Sequence, residues 1–308
     1  MIFVSGEEIE KLRREMHSRL KEGISEELRG WNWDRPPMAP YSQRILFGIS
    51  ALANRYCETY RDIYLRYVLR KKVPISDKLI KGLLLHKLVY NTVARARETI
   101  IRMWPFRIDD LLHELTADEQ PVRTALDEIA KIFGNEAREG LEAIAISLHR
   151  FLVRQTVCEV EKARMKYTWP NVETVLAEAL PSVAEKRVDG SRLGLSKNLS
   201  IDLLEGNIIL EIKTGEMHPF HKYTIAGYAL VLEAETGVPH DAGMILYIRF
   251  LENGDPIVTS SSVIVDDALR REFLAIRDEA MEIVDSGIDP GMPAKCPSYC
   301  PWRSVCHG

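Results

Sequence analysis

LGLSKNLSIDLLEGNIILEIKTG, residues 193–215, is the stretch whose reading settles the fold class. It reads as a strand, a tight turn at Glu205–Gly206–Asn207, and a second strand. Ile201, Leu203, Ile208, Leu210 and Ile212 stand either side of the turn, and such residues suit a pleated, half-buried surface. Strand side chains alternate with a period of two, so Glu211 and Lys213 share a side and Ile212 faces the core. Asp202 lies on the first strand, where the hairpin brings it near Glu211. Two carboxylates and a lysine therefore converge on one edge of a sheet.

Close carboxylates repel unless a cation sits between them. Oxygen ligands favour Mg2+ or Mn2+ over softer ions. Such an ion acidifies a bound water and polarises a phosphoryl oxygen, while Lys213 can orient the water or meet the charge that develops on phosphate. Asp202, Glu211 and Lys213 thus make a minimal unit for metal-dependent phosphodiester hydrolysis; the competing reading is a solvated strand end.

Upstream, Ser76 reads as the cap of an amphipathic helix through DKLIKGLLLHKLVYNTVARARETI. Gly82 lies one turn before His86, and a glycine there lets another chain approach. His86 can then reach a metal held by the sheet, or serve as an ordinary boundary histidine. Downstream, Thr224 and Tyr228 are four residues apart on a helical stretch, His221 to Glu235, and share a face that lines a channel or simply packs. A second hairpin turns at Asn253–Gly254, and Asp266 to Val284 is an amphipathic helix.

Further out, the chain divides into three parts. Residues 1–168 read as mainly helical, with helical patterns at Glu7 to Glu22, from near Ile45 through RYCETYRDIYLRYVL, and over Val122 to Tyr167. Proline breaks them at Asn32 to Pro40 and at Trp104 to Phe106. Residues 169–286 hold the sheet with flanking helices, and residues 287–308 form a tail too rich in glycine, proline and cysteine for regular elements. The expected class is mixed α/β. At 46% hydrophobic and 28% charged residues the chain suits a globular fold and not wholesale disorder. A net charge of -4 excludes a uniformly basic nucleic-acid coat but permits a local basic groove. No apolar run approaches the roughly 18 residues of a membrane span, and the first residues lack a signal-peptide pattern, so the expectation is cytoplasmic with no membrane partner.

Five cysteines are few for 308 residues and argue against a disulfide framework. Cys296, Cys300 and Cys306 crowd the tail. A fourth thiolate would come from Cys57, at a helix start or turn near basic residues, in preference to Cys158, which reads as a buried thiol inside a helix. Four thiolates would hold structural zinc or an iron–sulfur cluster, and a tail this poor in apolar residues gains its order from the metal.

Taken in order, Cys57, Gly82-x-x-x-His86, Asp202, Glu211-x-Lys213, Thr224-x-x-x-Tyr228 and Cys296, Cys300, Cys306 resemble the RecB-type exonucleases of the PD-(D/E)XK superfamily that carry an iron–sulfur cluster. The set is most similar to the long archaeal form of the CRISPR adaptation-module nuclease, and CETYRDIYL with the closing CPWRxxC are its most specific parts. The resemblance implies a restriction-endonuclease-like core whose cysteine-rich tail is stapled to the N-terminal helical region by a [4Fe-4S] cluster on Cys57, Cys296, Cys300 and Cys306. It implies His86, Asp202, Glu211 and the backbone carbonyl of Ile212 as ligands of Mn2+ or Mg2+, Lys213 as the catalytic lysine, and Tyr228 as a DNA-contacting or site-organising residue. It implies DNA, single-stranded or with frayed ends, as substrate, CRISPR integrase proteins as partners, and spacer acquisition as the setting; it is compatible with a homo-oligomer. Thr224 departs from the family's usual glutamine and reaches less far. A non-catalytic scaffold subunit is the alternative, and a zinc-stabilised helical binding protein a third. RYCETYRDIYLRYVLRKK, with Arg55, Arg61, Arg66, Arg70, Lys71 and Lys72 among Tyr56, Tyr60, Tyr64 and Tyr67, is the preferred entrance for a single strand.

Overall fold

The expected hairpin forms. The computed structural model describes residues 4, 6–54 and 57–307. In it β1 (Val183–Val188), β2 (Leu199–Glu205), β3 (Ile208–Thr214), β4 (Ala242–Phe250) and β5 (Pro256–Ile264) make one mixed sheet in that order. Gly206 closes the β2–β3 turn at φ 58°, a left-handed value that suits glycine. Neighbouring strands run antiparallel except β3 and β4, which are parallel. A parallel pair needs a crossover, and the helix Lys222–Thr236 supplies it.

The helices are α1 (Gly6–Arg19), α2 (Ile49–Ala53), α3 (Arg61–Ile63), α4 (Asp77–Met103), α5 (Ile108–Ala117), α6 (Gln120–Phe133), α7 (Glu142–Lys166), α8 (Val172–Ala179), α9 (Lys222–Thr236), α10 (Asp267–Ser286) and α11 (Arg303–His307). The Ser76 hydroxyl accepts from the Leu79 N–H and starts α4 where the sequence places it. α1 and α4 to α8 cover one sheet face, where Leu203, Leu210, Ile212, Met244 and Leu246 are buried. α2, α9 and α10 cover the other with Leu28, Met38 and Phe47, over Leu204, Ile209, Ile245 and Tyr247. Both faces being covered, β4 and the first half of β3 are apolar on both sides, and the fold is mixed α/β as expected.

Two local expectations give way. The segment read as helical through Leu69 is broken: Tyr60 is left-handed at φ 58°, α3 is one turn, and Tyr64–Val68 is a wide turn in which the Leu69 N–H donates to the Tyr64 carbonyl. Its side chains are drawn to different neighbours, so no continuous basic helix forms. Arg55 and Tyr56 lie outside the described residues. The tail, expected to lack regular structure, ends in the short helix α11.

A buried ionic network locks the second layer. Arg270 donates to Glu233 at 2.7 and 2.8 Å and to Asp241 at 2.7 Å, and Arg29 donates to the same two carboxylates. Glu233 also accepts from the Gly30 and His240 N–H groups. Gly30 is required there, since a Cβ would fall 2.0 Å from the Leu230 carbonyl oxygen. Burial pushes the Glu233 carboxyl up, but Arg270 and the two N–H groups more than reverse this and hold it below its ordinary value. No described helix is long and apolar enough to cross a membrane.

Arg270→Ala should therefore cost about 3 kcal/mol or more, because it leaves buried carboxylates short of partners. A lowered carboxyl stabilises the fold above its ordinary 4.5, and that contribution is lost as pH falls through the folded value. Glu233→Gln should accordingly lose less stability than the parent protein between neutral pH and pH below 4.5 in denaturant titrations; parallel acid profiles would contradict the assignment.

Candidate active site and cysteine pocket

The site lies where β2 and β3 part. Their ladder holds Glu205 to Ile208, Leu204 to Ile209 and Leu203 to Leu210, and then stops. Asp202 and Glu211 would be the next pair. Instead, the Asp202 Oδ2 accepts from the Ile212 N–H at 2.7 Å and replaces the missing backbone partner. Alternation breaks at the same point, since Ile201 is buried toward α9 while Leu203 is buried on the opposite face. On β1, Glu185 stands level with Asp202 at φ 52°, between residues paired to Leu203 and Ile201.

α4 brings His86 onto this gap, with Nδ1 2.9 Å from the Asp202 Oδ1. A Cβ on Gly82 would meet only the Thr214 hydroxyl at ordinary contact distance, so no other backbone approaches closely here, contrary to the expectation. Lys213 Nζ donates to the Glu211 Oε1 at 2.7 Å. The other oxygen, Oε2, is buried and has no hydrogen-bond partner.

The two carboxyls differ in electrostatics. Burial raises Asp202, but the charge and hydrogen bond of His86, the Ile212 N–H and Lys213 outweigh it and hold the group below its ordinary range. Burial and the Asp202 charge push Glu211 up to about 7 against the opposing pull of Lys213. Burial works against a charged His86, yet Asp202 and Glu211 raise it. The pair thus carries a second negative charge only at a cost, because burial and the neighbouring carboxylate both oppose it. The orphaned Glu211 oxygen, the second carboxylate and the imidazole are of the chemical type that suits a hard divalent ion such as Mg2+ or Mn2+, although among the described residues these three side chains do not already close on a single ion.

His86, Ile212 and Lys213 line a groove of about 460 Å3, with Arg66, Lys78 and Trp302 on its walls. Asp62 and His221 line it as well. Of these, Arg66 belongs to the expected entrance, whereas Lys78, His221 and Trp302 carried no signal in the sequence spacing. His221 Nδ1 is 3.0 Å from the Tyr247 hydroxyl, and Tyr247 is the β4 residue paired with Lys213. Arg61 is committed elsewhere, forming a fork on Asp289 at 3.0 to 3.2 Å.

Thr224 and Tyr228 do share a face of α9, and both are buried. Tyr228, 8% exposed, donates to the Ser200 carbonyl at 2.6 Å and so ties α9 to β2 two residues before Asp202. It packs and positions rather than lining a channel. The Thr224 hydroxyl is buried without a partner.

The cysteines gather at the tail. Cys300, Trp302 and Leu65 form a small apolar cluster on which Cys296, Cys306, Val73 and Val305 pack. Cys57 is buried as well, near enough to Cys300 and Cys306 that a second thiolate would be repelled there. Thr59 donates to the Gly291 carbonyl at 2.7 Å, which, with Arg61 on Asp289, fastens the tail to residues 57–61. Burial pushes the Cys300 thiol up to about 11 and raises Cys306, so thiolates here need a cation. That donor set fits a thiolate-bound metal or cluster, although among the described residues no three His, Cys, Asp or Glu side chains already close on a single ion. Cys158, expected to be buried, is exposed on α7: the helix buries Leu152, Thr156, Val157 and Val160, and Cys158 falls outside that stripe.

The family described as CRISPR-associated exonuclease Csa1 matches residues 1–308. A protein named CRISPR-associated exonuclease Csa1 from Saccharolobus solfataricus is 32% identical over 292 residues, 94% of each chain. One of the same name from Thermoproteus tenax is 30% identical over 296 residues, 96% of each chain.

Tyr228→Phe should lower stability by about 1–2 kcal/mol, because it leaves the Ser200 carbonyl without its donor. Thermal unfolding without DNA checks this, and an unchanged Tm would deny Tyr228 its positioning role.

Proposed function

The chain belongs to the family of CRISPR-associated exonuclease Csa1, and on that premise we propose that it is a metal-dependent DNA exonuclease that hydrolyses phosphodiester bonds at single-stranded or frayed ends during CRISPR spacer acquisition. The observation that carries this reading is Glu211, a buried carboxylate with one oxygen on Lys213 and the other unmatched, whose neighbours Ile212 and Lys213 line, with His86, a groove that has basic residues on its walls. The divergent hairpin and its acid pair also support a restriction-endonuclease-like, PD-(D/E)XK core.

In this proposal Asp202, Glu211, His86 and the Ile212 carbonyl hold Mg2+ or Mn2+. The ion, when bound, would supply positive charge to the phosphoryl oxygens and a more acidic water. Lys213 donates toward the attacking water or the phosphate; the water oxygen bonds to phosphorus while the bond to the leaving oxygen breaks, the attacking water gives up a proton to solvent and the leaving oxygen takes one from solvent. Lys78 and Arg66 line the groove walls where they can pair with backbone phosphates. A [4Fe-4S] cluster on Cys57, Cys296, Cys300 and Cys306 holds the tail, and CRISPR integrase proteins receive the product. A second reading, a non-catalytic or weakly catalytic iron–sulfur scaffold, draws on the burial of Thr224 and Tyr228, neither of which offers DNA a contact from α9.

Lys213→Ala should reduce Mn2+-dependent shortening of end-labelled single-stranded DNA by roughly 10²–10³-fold while iron content stays at the parental value and the protein remains folded at the assay temperature, although Glu211 loses its partner. Cutting at the parental rate would overturn the mechanism. Cys57→Ser should deplete iron and acid-labile sulfide in anaerobically purified protein, and Cys158→Ser should leave both intact; equal iron in the two variants removes Cys57 from the ligand set.

A further inference from the structure

Beyond Lys213 the chain runs through Gly215 into a loop that carries His218, Phe220 and His221, of which His221 lines the groove. His218 and Phe220 stack with centroids 4.8 Å apart and planes 7° from parallel. Tyr299, from the tail between Cys296 and Cys300, tilts over them at 4.9 Å from His218 and 6.4 Å from Phe220. His221, which lines the groove with Lys213, meets both loop rings edge-on at 5.3 and 4.9 Å. None of His218, Phe220 and Tyr299 belongs to a buried core cluster, and Tyr299 is 46% exposed. His218 also borders a second hollow, with Arg19 and Lys222.

We propose that His218, Phe220 and Tyr299 form a stacking platform for an unpaired base of the DNA strand whose phosphate lies at Lys213. The proposal rests on the nuclease reading above. Phosphate contacts position a strand but do not distinguish unpaired from paired ends. A ring platform does, because a base inside a duplex already has both faces covered, whereas a free base gains by stacking. The rings stand next to His221, which lines the groove and bonds Tyr247, the β4 partner of Lys213, so these two side chains link the platform to the Lys213 end of β3. One of its walls comes from the loop after β3 and the other from the cysteine-rich tail.

The test uses full-length, cluster-loaded protein with Lys213→Ala to prevent cleavage, and oligothymidylate probes carrying 2-aminopurine at successive positions from each end. One position should show stacking-induced quenching. An abasic site at that position should weaken binding roughly tenfold. Tyr299→Ala or Phe220→Ala should weaken binding of the intact strand by a similar factor, add nothing to the abasic loss, and leave blunt-duplex binding unchanged. Tyr299→Trp should restore it. Absent quenching at every position, or equal weakening of intact and abasic strands, would overturn the platform and leave the rings as a pin for the tail. Iron content is measured alongside; should Tyr299→Ala lose iron, Phe220→Ala, which lies outside the tail, decides. Protein with Lys213 intact that shortens DNA yet binds bases indifferently overturns this inference alone, whereas failure to shorten DNA with Mn2+ overturns the nuclease reading.

Discussion

The parting of β2 from β3 after Leu203 and Leu210 is the constraint from which the site follows. A ladder N–H abandoned in the interior costs about 1–3 kcal/mol. Asp202 meets the Ile212 N–H with a carboxylate, and that choice has consequences. A buried negative charge needs a counterpart, which draws His86, and with it α4, over the strand ends. Glu211 then finds a charge already beside it and ionises reluctantly despite Lys213. One interrupted hydrogen-bond ladder thereby accounts for the acid pair, the histidine and the strained electrostatics together.

The two helical layers keep that gap open in different ways. α4 supplies a site residue directly. α9 acts at one remove: its Tyr228 grips the Ser200 carbonyl, and its far end is anchored by Glu233 within the arginine network. The network reaches Leu28, whose carbonyl Arg270 also holds, and Gly30, so a segment near the start of the chain fixes the helix that braces β2.

Much of this was legible in the sequence where short-range rules govern. The β2–β3 hairpin, the Ser76 cap, the Asn253–Gly254 turn and the facing of Glu211 with Lys213 follow from period and turn chemistry. His86 was found through motif order, and its contact with Asp202 depends on a packing that spacing does not encode. Thr224 and Tyr228 share a face on a wet helix and on a dry one alike, so their burial was beyond reach. Periodicity suggested a helix through residues 57–68, but tertiary demands won: Tyr60 bonds Glu279, Arg61 bonds Asp289 and the Tyr67 hydroxyl accepts from Gly48. Trp302 gave no hint that one ring serves both the cysteine pocket and the groove.

The long sequence span of the bracing contacts bears on how the molecule comes together. The hairpin that carries Asp202 and Glu211 is a local unit, and such units close on microsecond timescales. The bonds from Ser25 to Asp267, Arg29 to Asp241, Thr59 to Gly291 and Arg61 to Asp289 join residues more than 200 positions apart. Loop closure over that span delays their reward. The acid pair is therefore drafted early and the walls around it are raised late, so chemistry waits on the slowest contacts in the fold.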